Sequence, residues 1–172
     1  WAINQISEGL KLGFLGGDGI GDDAWVSSTF WNTITSSTVK FQSNGNLSAT
    51  DEDIIAYCFK GIEGYSKFGS YTGNGNVDGA FVYTGFRPAF IITKLSSHVS
   101  SWSIVDTTRD PFNIVNQYLL AESSSAEGDF DSFDILSNGF KARTTNAERN
   151  GDGRTVIYMA FAEAPFKYSN AR

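Results

Sequence analysis

The chain has 172 residues, 41% hydrophobic and 15% aromatic, enough apolar material for one packed domain or a domain and a half. Nineteen acidic against thirteen basic residues give a net charge of −6, and the basic residues are scattered, so a nucleic-acid partner is excluded by repulsion from phosphate backbones. The single cysteine, Cys58, allows no disulfide within the chain, and no apolar run or signal peptide points to a membrane.

The first residue is Trp1 rather than methionine, which suggests a piece of a longer polypeptide. Trp1-Ala2-Ile3 reads as a short strand, and Glu8 to Leu15 is a weakly apolar stretch broken by Gly9 and Gly13. Gly16 to Asp23 is a loop, since so many glycines cannot support a strand or helix interior. Trp25 to Trp31 is an edge segment, and Ser37 to Gln42 alternates apolar and polar before the turn Ser43-Asn44-Gly45-Asn46. Ile54 to Phe59 is apolar at both alternations, the pattern of a strand covered on both faces.

Beyond Gly64 the pattern is strand after strand, punctuated by Gly and Asn. Strands are predicted over 65–71, 80–83, 89–94 and 102–105, with an apolar stretch up to Leu120. A hairpin about Ser137-Asn138-Gly139 joins 133–136 to 140–143, residues 146–153 form a polar loop, and 156–162 is the last strand. No segment carries a convincing helical period. The fold class read from the chain is all-β and antiparallel.

The two halves also match one another. Trp1-Ala2-Ile3 falls on Trp102-Ser103-Ile104, Val39-Lys40-Phe41 near Phe140-Lys141-Ala142, and Ile54 to Phe59 on Val156 to Phe161. The stretch from Asp51 to Lys94 is then a seam between two units. Residues 1–62 read as the C-terminal part of a first β unit and 63–172 as a complete second one. Tandem units suit an elongated scaffold better than a pocketed catalyst.

Catalytic chemistry finds little footing. The only histidine, His98, lies in a serine-rich loop without a nucleophile-elbow motif. The acidic groups Asp51, Glu52, Asp53 and Asp129, Asp131, Asp134 sit in turns or beside strands, where solvated carboxylates are expected. Asn74-Gly75-Asn76-Val77-Asp78-Gly79 has the opening of a calcium loop, but Gly85 stands where the closing bidentate glutamate belongs. No metal or other cofactor is expected; the carboxylates nearest to a ligand set are Asp18, Asp22 and Asp78. Candidates for ligand binding are Trp25, Trp31 and Tyr71, whose rings could stack on sugars, and Asn74 and Asn76 at a loop tip.

The run from Gly61 through Ser66-Lys67-Phe68-Gly69-Ser70-Tyr71-Thr72-Gly73-Asn74-Gly75, then Phe81 to Phe90, resembles a repeat of tailed-bacteriophage structural proteins. The likeness continues through Asp106-Thr107, Arg109-Asp110-Pro111, Leu136 to Lys141 and Tyr158 to Tyr168, and is strong over 51–172. What it implies is a tail or tail-fibre protein of the virion surface, built of jelly-roll or lectin-like β-sandwich units. It brings no catalytic residues with it. The expected partners are other virion subunits in a homo-oligomer and, at the loop tips, a host-surface glycan or protein. A carbohydrate-binding β-sandwich module is the alternative, and a glycan depolymerase the second.

Overall fold

The computed structural model describes residues 59–96, 98 and 100–164, together with the strand backbones 2–4, 12–14, 31–34 and 39–41. In the first part of the chain, β1 (Ala2–Asn4) pairs with β2 (Leu12–Phe14), and β3 (Trp31–Ile34) with β4 (Val39–Phe41), both antiparallel. The expected strands at Ala2 and Val39 are present, while residues 51–58 and 165–172 lie outside the described residues.

The rest forms one eight-stranded antiparallel sheet. Its strands are β5 (Ser66–Thr72), β6 (Phe81–Tyr83), β7 (Pro88–Leu95), β8 (Ser103–Asp106), β9 (Val115–Leu120), β10 (Gly128–Leu136), β11 (Gly139–Ala142) and β12 (Thr155–Ala162). Their order across the sheet is β5-β12-β7-β8-β9-β10-β11-β6. The all-β, antiparallel class read from the sequence is the class observed.

Alternation explains how the sheet bends round a core. In β12, Val156, Tyr158 and Ala160 point inward, and in β7 Ile91 and Leu95 do the same. They meet Tyr71 from β5, Val82 from β6, Val105 from β8, Val115 from β9, Phe133 and Ile135 from β10, and Phe140 and Ala142 from β11. All eight strands thus feed one cluster, which a flat sheet could not do. Phe140 sits at its centre with no exposed surface, edge-on to Tyr71, Phe133 and Tyr158 at 6.0, 5.3 and 5.3 Å between ring centroids. Such tilted ring pairs add to the burial of each ring.

β12 lies between β5 and β7, and Val156 to Ala160 are buried at every position. This is why its sequence is apolar on both alternations. The hairpin from β10 to β11 turns at Ser137-Asn138, with Leu136 opposite Gly139. Gly139 is required there, because a Cβ would stand 2.1 Å from the Val82 carbonyl oxygen.

One expectation is corrected. The segment 146–153 is not wholly a loop: it holds a one-turn helix, α1 (Ala147–Asn150), whose Glu148 N–H donates to the Asn146 side chain. One turn is too short to leave a 3.6-residue period in the sequence. Asn146 supplies an ordinary N-cap.

The sheet closes almost completely, leaving β5 and β6 as free edges. Since Val82 O points at β11, the neighbouring Tyr83 carbonyl faces the gap, and Lys67 Nζ reaches it across the seam at 2.8 Å. The same ammonium lies 5.2 Å from the Tyr83 ring centroid. A lysine on an exposed edge opposes pairing with a foreign strand.

Candidate functional site

The most organised polar region is the loop after β5, residues 73–79, locked to the turn after α1. Asn150 has no exposed surface. Its side-chain amide donates to Asn74 Oδ1 at 3.0 Å, Asn76 O at 2.7 Å and Thr144 O at 2.8 Å. Its Oδ1 accepts from the Asn74 N–H at 3.2 Å. The backbones interlock as well, with Gly73 N–H donating to Arg154 O, Gly75 N–H to Asn150 O and Gly153 N–H to Gly73 O. Gly73 permits this contact, since a Cβ there would fall 2.4 Å from the Gly151 carbonyl oxygen.

Within the loop the asparagines serve the backbone. Asn74 Oδ1 also accepts from Asn76 N–H, Asn76 Oδ1 accepts from Asp78 N–H, and Asn74 Nδ2 donates to Asp78 O. These are Asx turns in series. The Asp78 carboxylate turns away to Lys141 Nζ at 2.5 Å, with Arg143 Nη1 at 3.8 Å. The hydrogen bond and charge of Lys141 hold the Asp78 carboxyl below its ordinary pKa. The three side chains of the calcium-like stretch thus each have a protein donor. What the loop offers is a stiff, exposed tip made of Thr72, Asn74, Asn76, Val77 and Asp78.

Tyr71, proposed from the sequence as a stacking ring, belongs to the core. It is 8% exposed, packs on Phe140 and donates its hydroxyl to Arg149 O at 2.5 Å. Burial pushes its hydroxyl pKa well up, against the pull of the Arg149 charge. A ring so enclosed offers no face to a sugar. Trp31 lies on β3, and Trp25, Asp18 and Asp22 lie outside the described residues. Among the described residues no three His, Cys, Asp or Glu side chains group as metal ligands. His98 is exposed, as are Asp129 and Asp131, while Asp134 faces Arg143 Nε at 3.4 Å.

Sequence reasoning missed Arg149 and Lys67. Arg149 is buried to 3% exposure, with its guanidinium 4.4 Å from the Tyr118 ring centroid and 5.8 Å from that of Phe130. It donates to Ser103 Oγ at 3.1 Å, and burial lowers its pKa. Nothing local in Ala147-Glu148-Arg149-Asn150 marks it, because its partners stand on β8, β9 and β10. At the open seam a cleft of about 360 Å³ is lined by Ile62, Glu63, Ser66, Lys67, Tyr83 and neighbouring glycines.

A profile described as a domain of unknown function, DUF7483, matches residues 19–165. The chain belongs to the DUF7483 family. No curated protein and no solved structure matches it. The DUF7483 match takes in β3 to β12, so both hairpins, the Asn150 lock and the seam fall inside the family region.

A loop on the far side of the sheet gives this DUF7483 chain its clearest acid-sensitive contact. Asp106 accepts from the N–H groups of Thr108 and Arg109 and pairs with the Arg109 guanidinium, which also meets Glu127. Partial burial opposes the Asp106 carboxylate, but the bonds from Arg109 and Thr108 outweigh it and hold its pKa below the usual 3.8. A carboxyl with a depressed folded pKa stabilises above its unfolded pKa, and that contribution disappears as pH falls through the folded value. Asp106→Asn is therefore expected to cost about 1–2 kcal/mol at pH 7. The gap to wild type should shrink as the pH is taken below the unfolded aspartate value of about 3.9. Urea melts on either side of that value check this.

Proposed function

We propose that the chain is a non-catalytic structural component of a tailed-bacteriophage virion, part of a tail or tail fibre, made of β-sandwich modules in tandem. Residues 1–62 form the C-terminal part of one module, and 63–172 the next. The observation that carries the modular reading is one of register. Thr33 faces Lys40 and Ile34 faces Val39, and 101 residues further on Asp134 faces Lys141 and Ile135 faces Phe140. A one-residue slip would turn every side chain to the other face, so two shared pairs at equal spacing carry weight, although a bulge in β3 sets Trp31 rather than Asn32 opposite Phe41, where Phe133 faces Ala142.

The sandwich reading draws on the cross-core ring contacts. Tyr71 on β5 and Tyr158 on β12 meet Phe140 on β11, which supports reading β5-β12-β7-β8 as one layer over β10-β11-β6, joined through β9. The phage setting rests on the sequence resemblance. In that setting, partners are sister subunits of the particle, and the tip at 72–78 is the surface offered to a host receptor. The carbohydrate-binding alternative loses Tyr71 as a stacking platform and keeps the polar tip with Trp25 and Trp31, whose rings lie outside the described residues.

The test is localisation. Antibody-gold labelling or cryo-electron microscopy of purified particles should place the protein on the tail. Detection in infected cells but never on particles would remove the virion assignment.

A further inference from the structure

The sheet has a second apolar face, turned away from its core. In β12 the residues alternate with the core-facing set, so Ile157, Met159 and Phe161 point outward. Ile157 and Met159 are nevertheless only 6% and 7% exposed. Beside them the rings of Tyr65, Phe68 and Phe90 gather round Phe161, at 6.1, 5.7 and 6.1 Å between centroids. Isolated antiparallel sheets commonly leave their outer face to water and polar residues. This one carries aromatics.

Phe59 shows where the chain approaches that face. Its ring stands 5.9 Å from both Phe68 and Phe161. Phe59 is also the residue that the internal repeat sets on Phe161. Phe59, which the repeat matches to Phe161, thus rests on Phe161 itself.

We infer that the outer face of β5, β12 and β7 is the contact between successive modules, and that its occupant is the preceding module of the same chain, residues 1–62. The inference rests on the tandem reading and adds the surface by which the modules stack. In such arrays neighbouring units stabilise one another through one interface. Loosening that interface should therefore loosen the first module while leaving the second intact.

The experiment is amide hydrogen exchange on the full chain, comparing wild type with Phe59→Ala and Ile157→Asp. Phe59→Ala removes a ring that is 54% exposed and lies outside the core of the second module. The expected result is exchange about tenfold faster in β3 and β4, with β10 and β11 unchanged. Unchanged exchange in β3 and β4 in the Phe59→Ala protein overturns the inference, and this variant decides alone if Ile157→Asp fails to fold. A drop in sedimenting mass without any change in β3 and β4 would overturn it too, giving the face to a second copy. If β3 and β4 in the wild type already exchange as unstructured chain, the tandem reading itself falls.

Discussion

Replacing Asn150 with leucine is expected to remove roughly 3–5 kcal/mol of stability, because its fully buried amide makes four hydrogen bonds that hold two segments together. Leucine keeps the branched outline but is larger, and it leaves Asn76 O, Thr144 O and the Asn74 N–H without their partner. Each stranded group costs about 1–3 kcal/mol, and partial relaxation of the exposed tip keeps the sum below the maximum. Asn150→Asp separates hydrogen bonding from shape. The aspartate would put a charge against carbonyl oxygens, so its folded pKa should rise above the unfolded one. A raised carboxyl pKa makes the folded state bind more protons, and the variant should recover stability as pH falls from 7 to 4. Thermal melts of the two variants at both pH values test this. The leucine variant should show no such recovery.

Phe140→Ala carries the second large effect, about 3–5 kcal/mol, the usual cost of emptying a buried phenylalanine site. The ring has no exposed surface and touches Tyr71, Phe133 and Tyr158. Those three come from β5, β10 and β12, so the cavity would open where several strands of the sheet converge and cannot be closed by one strand moving. Phe140→Leu should cost less than half as much, since it keeps most of the volume. Chemical denaturation with unchanged m-values would show that both variants lose stability without changing the folded state.

The strands were legible where alternation and punctuation agree. The apolar run Ala89 to Lys94, read as ending at a charge, lies within β7; Val156 to Ala162, read as the last strand, lies within β12, which is buried from Val156 to Ala160. The hairpin at Ser137-Asn138 announced itself through the turn residues. What the sequence could not convey was closure, because the approach of β5 to β6 depends on the accumulated bend of the intervening strands. Tyr71 was misjudged for a related reason. β5 carries aromatics at both alternations, with Phe68 outside and Tyr71 inside, so period alone did not choose a face. The Asn150 lock joins residues 76 positions apart, and the turn-like spelling of Asn150-Gly151-Asp152-Gly153 hid a buried side chain.

The polar tip illustrates how a binding-loop sequence can be a structural one. Asn74 and Asn76 are exposed, yet their amide oxygens are spent on neighbouring N–H groups. A receptor meeting this loop would find Val77, the Asn76 amide nitrogen and backbone edges held in place. Rigidity of that kind lowers the entropic cost of recognition.

The most direct measurement is the cross-strand NOE pattern of the two hairpins in the isotope-labelled full chain. The account predicts contacts between Thr33 and Lys40 and between Ile34 and Val39, matched by Asp134 with Lys141 and Ile135 with Phe140. A first hairpin shifted by one residue, or strands 31–34 and 39–41 paired with other partners, would contradict the two-module chain on which the scaffold reading stands.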